Sequence, residues 1–596
     1  MKQLITRWGK NIDKENVWKE YPRPNLVRDS YVNLNGEWEY AINQSETVEN
    51  YEGTILVPYS PETYLSGVQK MVMPGDYLHY RKAFSLPEGF VKDRVLLHFG
   101  GVDQECKVYL NDQYLGEHKG GYTPFHFDVT AVLREGENVL TLTVQDWTEK
   151  KPHARGKQKL VREGDYRWLF YTPQSGIWKT VWMESVAEEH ISRIKITPLY
   201  DESAVRICVS AAGKNGDTVH KPLQIRILDE GREIAEISGE SGCDAEIEMP
   251  DFRAWSPEDP HLYDVIVTMG EDQIQSYFGM RKFSVGRDKK GILRFYMNNQ
   301  PFFFNGPLDQ GYWPESLLTA PCDEALVYDI QVMKDMGYNT IRKHIKVEPE
   351  RFYYHCDRLG MVVWQDMPNG GGEYDMMFVT DLPNAYDWFA RGVEDDRYNW
   401  FKREDEAGRQ QYYKDLTEMI EELYNFPCIA VWVPFNEGWG QFDAAKATEL
   451  IRKLDPHRLV NEACGWFDQK GGDMYSIHNY VYKLRVEPQE PRVVALTEYG
   501  GYAYPVPGHL ACDREFGYQV YQSCEELTAN YRRLWNEEIY PNLEHGLSSA
   551  IYTQTSDVEE EVNGVMTYDR DMVKLIREDV RELNEKLYAM FQELTQ

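Results

Sequence analysis

An export leader is the first thing this sequence lacks. Met1 to Lys10 carries Lys2 and Arg7, but not the roughly 7 to 15 apolar residues in a row that a signal-peptide core needs. No window approaches the roughly 18 consecutive apolar residues of a spanning helix, so a cytoplasmic chain with no membrane partner is expected. Positive charge is also scarce. Lys and Arg together number 65 against 97 Asp and Glu, and a formal charge of -32 repels phosphate backbones, so no nucleic acid partner is expected. The nine cysteines are scattered and odd in number, with no C-x-x-C pair and no ligand-like Cys/His spacing. That pattern reads as reduced thiols with no zinc site, and no metal or cofactor is expected.

What the chain does have is length. Its 596 residues imply three to five domains at about 100 to 200 residues each. Up to residue 188 short half-buried strands follow one another, such as Arg94-Val-Leu-Leu-His-Phe99, Lys107-Val-Tyr-Leu110 and Asn138-Val-Leu-Thr-Leu-Thr-Val144. Even spacing without helices predicts a two-sheet sandwich. Residues 189–285 repeat the pattern on a smaller scale, with Val205-Arg-Ile-Cys-Val209 and Leu223-Gln-Ile-Arg-Ile-Leu228, and predict an immunoglobulin-like β-sandwich.

From residue 286 to 596 the pattern changes. Eight apolar strands start near Phe302, Thr340, Met361, Cys428, Arg458, Tyr475, Val493 and Ser549. Helical stripes lie between them, including Leu326-Ile330-Met333, Leu416-Ile420-Leu423 and, at the end, Ile576-Val580-Leu583-Leu587. Eight strands, each followed by a helix, predict a (β/α)8 TIM barrel whose chemistry sits at the carboxyl ends of the strands. Two segments stand outside this scheme. Residues 368–408 are too long and aromatic for a simple connection and read equally as a subsite wall or as a packed insertion. Residues 147–171 carry Lys150, Lys151, Arg155, Lys157, Lys159 and Arg162, and the plainer reading is a solvated basic loop.

Strand ends supply the chemical candidates. Pro434-Phe-Asn436-Glu437-Gly438 follows the fourth strand and Thr497-Glu498-Tyr499-Gly500-Gly501 closes the seventh. Two carboxylates facing each other across a barrel can flank a glycosidic bond, one protonating the leaving oxygen while the other attacks. Either glutamate alone also fits a helix cap or an ion pair. Asn436 is placed to bond a sugar 2-hydroxyl, or else to cap a helix. His344, His478 and Tyr480 also stand at strand ends. The histidines fit either sugar contacts or structural roles, and Tyr480 is placed to hold Glu498 ionised.

Asn436-Glu437-Gly438-Trp439 and Thr497-Glu498-Tyr499-Gly500-Gly501 resemble the acid/base and nucleophile motifs of the family 2 glycoside hydrolases, which include β-galactosidases, β-glucuronidases and β-mannosidases. The resemblance runs nearly the whole length, through Leu34-Asn-Gly-Glu-Trp38, Gly120-Gly-Tyr-Thr-Pro-Phe125, Ser175-Gly-Ile-Trp178, Trp255-Ser-Pro-Glu-Asp-Pro-His-Leu-Tyr263 and Phe278-Gly-Met-Arg281. It implies a jelly-roll sugar-binding domain (1–188), an immunoglobulin-like domain (189–285) and a catalytic barrel (286–596). It also implies hydrolysis of terminal β-linked sugars with retention, with Glu437 as acid/base and Glu498 as nucleophile. Asn436 would bind the 2-hydroxyl and Tyr480 would stand beside the nucleophile.

Departures from the family's patterns shape the specificity. The stretch before Thr567-Tyr-Asp-Arg570 is Glu559-Glu-Glu-Val-Asn-Gly-Val-Met566. It lacks the lysine with which glucuronidases of the family hold a sugar carboxylate, so glucuronides are disfavoured. Tyr552 and Phe170 stand where galactosidases show Trp and Asp. The expectation is therefore an exo-acting retaining glycosidase for a neutral sugar, a β-galactoside first, with β-glucuronidase, β-mannosidase and arabinosidase as alternatives. An idle carbohydrate-binding protein is the alternative of another class. Asp366, His344, His478, Trp439 and Tyr552 are the expected sugar contacts, with Lys157 and Gln158 reaching in from the jelly roll. The expected partner is a glycoside substrate, and a homo-oligomer stays open.

Overall fold

The computed structural model describes residues 2–596 except 163, 164, 215 and 387. In the N-terminal part a six-stranded antiparallel sheet and a four-stranded one enclose a shared core. Strand Glu137–Gln145 shows how the sequence builds it. Asn138, Leu140, Leu142 and Val144 point inward and are buried, while Thr141 and Thr143 alternate outward. Each fully buried aliphatic side chain contributes about 1.5–3 kcal/mol. A second sandwich follows, with three strands facing four around Ile196, Ile207, Ile225 and Val265.

The C-terminal part is an eight-stranded parallel sheet curled nearly into a barrel. Its strands are β1 Phe304–Asp309, β2 Thr340–Lys343, β3 Val362–Asp366, β4 Ile429–Val433, β5 Leu459–Val460, β6 Met474–Asn479, β7 Val493–Gly500 and β8 Leu547–Thr553. They pair in the order β5-β4-β3-β2-β1-β8-β7-β6. Between β5 and β6 the ring is bridged where Asp473 N donates to Val460 O at 2.8 Å. Strands such as β4 are buried at every residue, as expected for a parallel sheet covered on both faces. The helices include α1 Asp323–Asp335, α2 Glu350–Leu359, α3 Glu406–Leu423, α4 Ala444–Leu454, α5 Cys524–Leu534 and α6 Arg577–Thr595.

Two expectations need correction, and one that was left open between two readings is decided. No helix follows β5 or β6; residues 461–473 and 480–492 are loops, broken by Gly465 and Gly472 in left-handed conformations and by Pro488 and Pro491. The basic stretch 147–171 is no solvated loop at its centre. Arg155 and Lys157 are buried, and Arg155 donates to the carbonyls of Gly371 and Gly372. The described residues of 368–408 form a packed insertion with short helical turns, in which Phe378 lies 5.5 Å from Phe401 and 5.3 Å from Phe467 of the loop after β5. The same insertion reaches the strand ends, because Thr380 Oγ1 accepts a bond from Trp439 Nε1 at 3.1 Å.

Candidate active site

Glu437 stands four residues past the end of β4, with φ +51 and its N–H donating to Cys464 O at 2.9 Å. Such a left-handed glutamate stores backbone strain, which its surroundings must hold in place. Gly438 follows at φ +73, and a Cβ there would fall 2.5 Å from the Phe467 ring, so no larger residue fits the turn. Glu498 lies inside β7 within the register shift between Leu496 and Tyr499, and β6 shifts opposite it between Ile477 and His478. Irregular pairing of this kind re-aims a side chain without ending the strand. An oxygen of Glu437 and an oxygen of Glu498 lie within 4.8 Å of each other.

Glu498 is closely held. Its Oε1 accepts from Arg342 Nη1 at 2.9 Å and its Oε2 from the Tyr480 hydroxyl, which also bonds Thr553 Oγ1 at 2.8 Å. Burial alone would raise its pKa, but the charges of His478 and Arg342 and the Tyr480 bond outweigh burial and lower it. Glu437 goes the other way. Burial first, then the Glu498 charge, raises its pKa against the bond from His478 Nδ1 at 2.7 Å. His478 resists burial because the Glu498 charge, Cys464 and Glu437 favour its imidazolium, and its pKa is raised to about 10. Its Nε2 lies 3.3 Å from Cys464 Sγ and 3.5 Å from Glu498 Oε1.

Asn436 accepts from Arg342 Nη2 at 2.6 Å, which leaves its own buried Nδ2 without a partner. His344 Nδ1 bonds Gln310 Oε1 at 2.9 Å, while its buried Nε2 is unpartnered 3.8 Å from Glu498. Burial holds this imidazole well below the usual histidine range, hence neutral. Trp439 packs 5.2 Å from Phe170, and Lys157 Nζ sits 5.9 Å from its ring. Lys157 also reaches Tyr171 Oη and Glu561 Oε2, each at 3.3 Å.

Three expected sugar contacts are placed otherwise. Both Asp366 oxygens are taken by Arg342, at 2.8 to 3.1 Å, so this carboxylate is the arginine's counter-ion. Tyr552 packs against Tyr499 and Tyr531, toward α5, because successive residues of β8 face opposite sides; the next residue, Thr553, reaches Tyr480. Gln158 is bonded to Asp103 at 2.8 Å and to Gln174 N at 2.7 Å, inside the N-terminal sandwich. Arg342 was missed because it sits mid-strand. The signal for it was a charged residue in a segment otherwise fit for a buried strand. Among the described residues, Glu437, His478 and Glu498 offer converging metal-ligand atoms, as do His509, Asp569 and Asp571.

A buried carboxylate pair at strand ends of a parallel barrel, preceded by two β-sandwiches, defines a glycosidase architecture. Residues 59–183 match the sugar binding domain of glycosyl hydrolases family 2, residues 189–281 match glycosyl hydrolases family 2, and residues 290–572 match its TIM barrel domain. The chain belongs to glycosyl hydrolase family 2. It is 25% identical over 516 residues to a β-galactosidase of Thermoanaerobacter pseudethanolicus, covering 80% of this chain and 62% of that protein. It is 22% identical over 580 residues to a β-glucuronidase of Streptococcus agalactiae, covering 87% and 91%. The chain thus spans less than two thirds of the first of these relatives. Its fold is that of the β-D-glucuronidase from Dictyoglomus thermophilum, with TM-score 0.73, 18% identity and coverage of 95% and 99%. A β-galacturonidase from Eisenbergiella tayi aligns with TM-score 0.70, 19% identity and the same coverage. No helix among the described residues is long and apolar enough to cross a membrane.

Proposed function

We propose that the chain is an exo-acting retaining β-glycosidase removing a terminal, non-reducing neutral sugar, with β-galactosides the first substrates to try. Glu437 protonates the leaving oxygen as Glu498 attacks the anomeric carbon. Once Glu498 is bonded to the sugar its charge is gone, and Glu437 takes a proton from the water that releases the sugar. The observation that carries this reading is the opposed pair of shifts, Glu437 raised and Glu498 lowered, on carboxylates whose oxygens come within 4.8 Å. Asn436 Nδ2 and His344 Nε2 are the free polar atoms for sugar hydroxyls, and Trp439 is the apolar wall. Domain divisions after residues 188 and 285 and a cytoplasmic location, in keeping with nine unbridged thiols, belong to the same proposal.

A second reading, hydrolysis of a β-uronide, rests on Lys157, whose charge bears on both catalytic carboxylates. Its ion pair with Glu561 favours the neutral sugar, because an incoming carboxylate must compete with one already in place. Hydrolysis of p-nitrophenyl β-galactoside, β-glucoside, β-mannoside, β-glucuronide and β-galacturonide and both arabinosides decides between them. One neutral substrate cleaved best, with activity lost in Glu498→Gln, supports the proposal. A preference for a uronide, or full activity in Glu498→Gln, overturns it.

A further inference from the structure

Three consecutive residues of the loop after β5 cradle the His478 ring. Cys464 Sγ lies 3.3 Å from Nε2, and Trp466 meets the ring in a T-shaped contact with centroids 5.9 Å apart. Between them Gly465 has φ +91, and a Cβ there would fall 2.8 Å from Nδ1 and 2.9 Å from Cε1, so only glycine lets the loop close on the imidazole. The sulfur is itself fixed in place. Cys464 N donates to Phe435 O and Cys464 O accepts from Glu437 N, each at 2.9 Å, and Ser476 Oγ stands 3.5 Å from Sγ.

The His478 side chain has no exposed surface, so as an imidazolium it must place both N–H groups inside the protein. Nδ1 donates to Glu437 Oε1 at 2.7 Å. Nε2 stands between two acceptors. The sulfur at 3.3 Å is in bonding contact, whereas Glu498 Oε1 at 3.5 Å is beyond the roughly 2.7–3.2 Å of an N–H···O bond. The ring is thus held on the weaker acceptor and short of a carboxylate. A full bond from an imidazolium would make Glu498 a poorer nucleophile, and it already accepts from Arg342 and Tyr480. Glu437 gains from the opposite arrangement, because the Nδ1 bond steadies the ionised form that activates water. The other ionisable groups around the pair are Arg342, His344, Lys157 and Tyr480. Among the described residues none of these four bonds the ring.

With the glycosidase reading as its basis, we propose that Cys464 is a positioning residue of the carboxylate pair, its sulfur holding Nε2 off Glu498 and committing His478 to Glu437. The test compares crystal structures and kcat/KM–pH profiles of the unmodified chain, Cys464→Ala and Cys464→Ser on the best-cleaved glycoside. In Cys464→Ala, Nε2 should swing onto Glu498 Oε1, closing the 3.5 Å gap to about 2.8 Å while the Nδ1 bond to Glu437 lengthens. Glu498 then gains a cation, so the acid limb moves to lower pH, and Glu437 loses one, so the basic limb moves to higher pH. Each limb should move by about half a pH unit or more, with the maximum down about tenfold. Cys464→Ser restores an acceptor and should bring ring and limbs back toward their original places. A role in packing alone would lower the maximum with both limbs unmoved. A ring that keeps its place in Cys464→Ala, or limbs that do not separate, overturns the proposal. Failure of the unmodified chain to cleave any glycoside overturns the glycosidase reading instead, and the crystal structures then decide by themselves whether the sulfur holds the ring.

Discussion

Arg342 donates to Glu498 Oε1 at 2.9 Å, although their strands, β2 and β7, are separated in the sheet by β1 and β8. The contact crosses the barrel interior. The same guanidinium holds Asp366 and Asn436, so one fully buried cation sets the position of three polar groups around the reacting centre.

Arg342→Met should therefore act twice. It removes a charge that lowers the Glu498 pKa, so the acid limb of the kcat/KM profile should move to higher pH, with activity down about 10²–10³-fold. It also strands Asp366, and loss of one partner of a buried pair costs about 3–5 kcal/mol, readable by urea unfolding. An acid limb that stays in place would refute the electrostatic role.

Asn436→Ala tests the free Nδ2. Loss of kcat/KM by about 10²–10³-fold is expected on the preferred sugar, but far less on its 2-deoxy analogue, which has no hydroxyl to lose contact with. Equal losses on both substrates would mean that Asn436 serves Arg342 rather than the sugar.

Glu437→Ala should discriminate between leaving groups. Alkyl glycosides need a proton on the departing oxygen and should slow by about 10²–10⁴-fold, whereas 2,4-dinitrophenyl glycosides should lose much less in the glycosylation step. Burst kinetics separate that step from hydrolysis of the intermediate. A uniform loss in glycosylation across leaving groups would remove the acid role.

His478→Gln removes an imidazolium that lowers both carboxylate pKa values, so both limbs of the pH profile should shift upward. The folded pKa of His478 is about 10 against 6.5 unfolded, so its stabilisation is fully present below pH 6.5 and disappears as pH rises through 10. Melting temperatures of the unmodified chain and the variant should differ most below pH 6.5 and converge toward pH 10. A gap independent of pH would exclude this linkage.

Much of this was legible in the sequence because it is periodic. Alternation in 137–145 and stripes such as Leu416-Ile420-Leu423 report burial directly, and Glu437 and Glu498 stand out as carboxylates at strand ends. What escaped depends on direction rather than residue type. Tyr552 and Thr553 differ by one position, yet only the threonine reaches Tyr480. Asp366 looks like a ligand for substrate until its distances show it bonded to Arg342, a residue hidden in mid-strand. Neither the β7 register shifts nor the turn at Glu437 has a residue pattern that announces it.

The stretch from Lys151 to Tyr171 belongs by chain position to the sandwich, yet Arg155 is anchored on carbonyls of the barrel insertion and Lys157 on Glu561, in the loop after β8. The barrel is accordingly not a portable enzyme. Excised from its partners it would carry Glu437 and Glu498 intact but lose one wall and a cation of the pocket. Exchange of the N-terminal module between relatives would then graft part of an active site as well as an accessory domain.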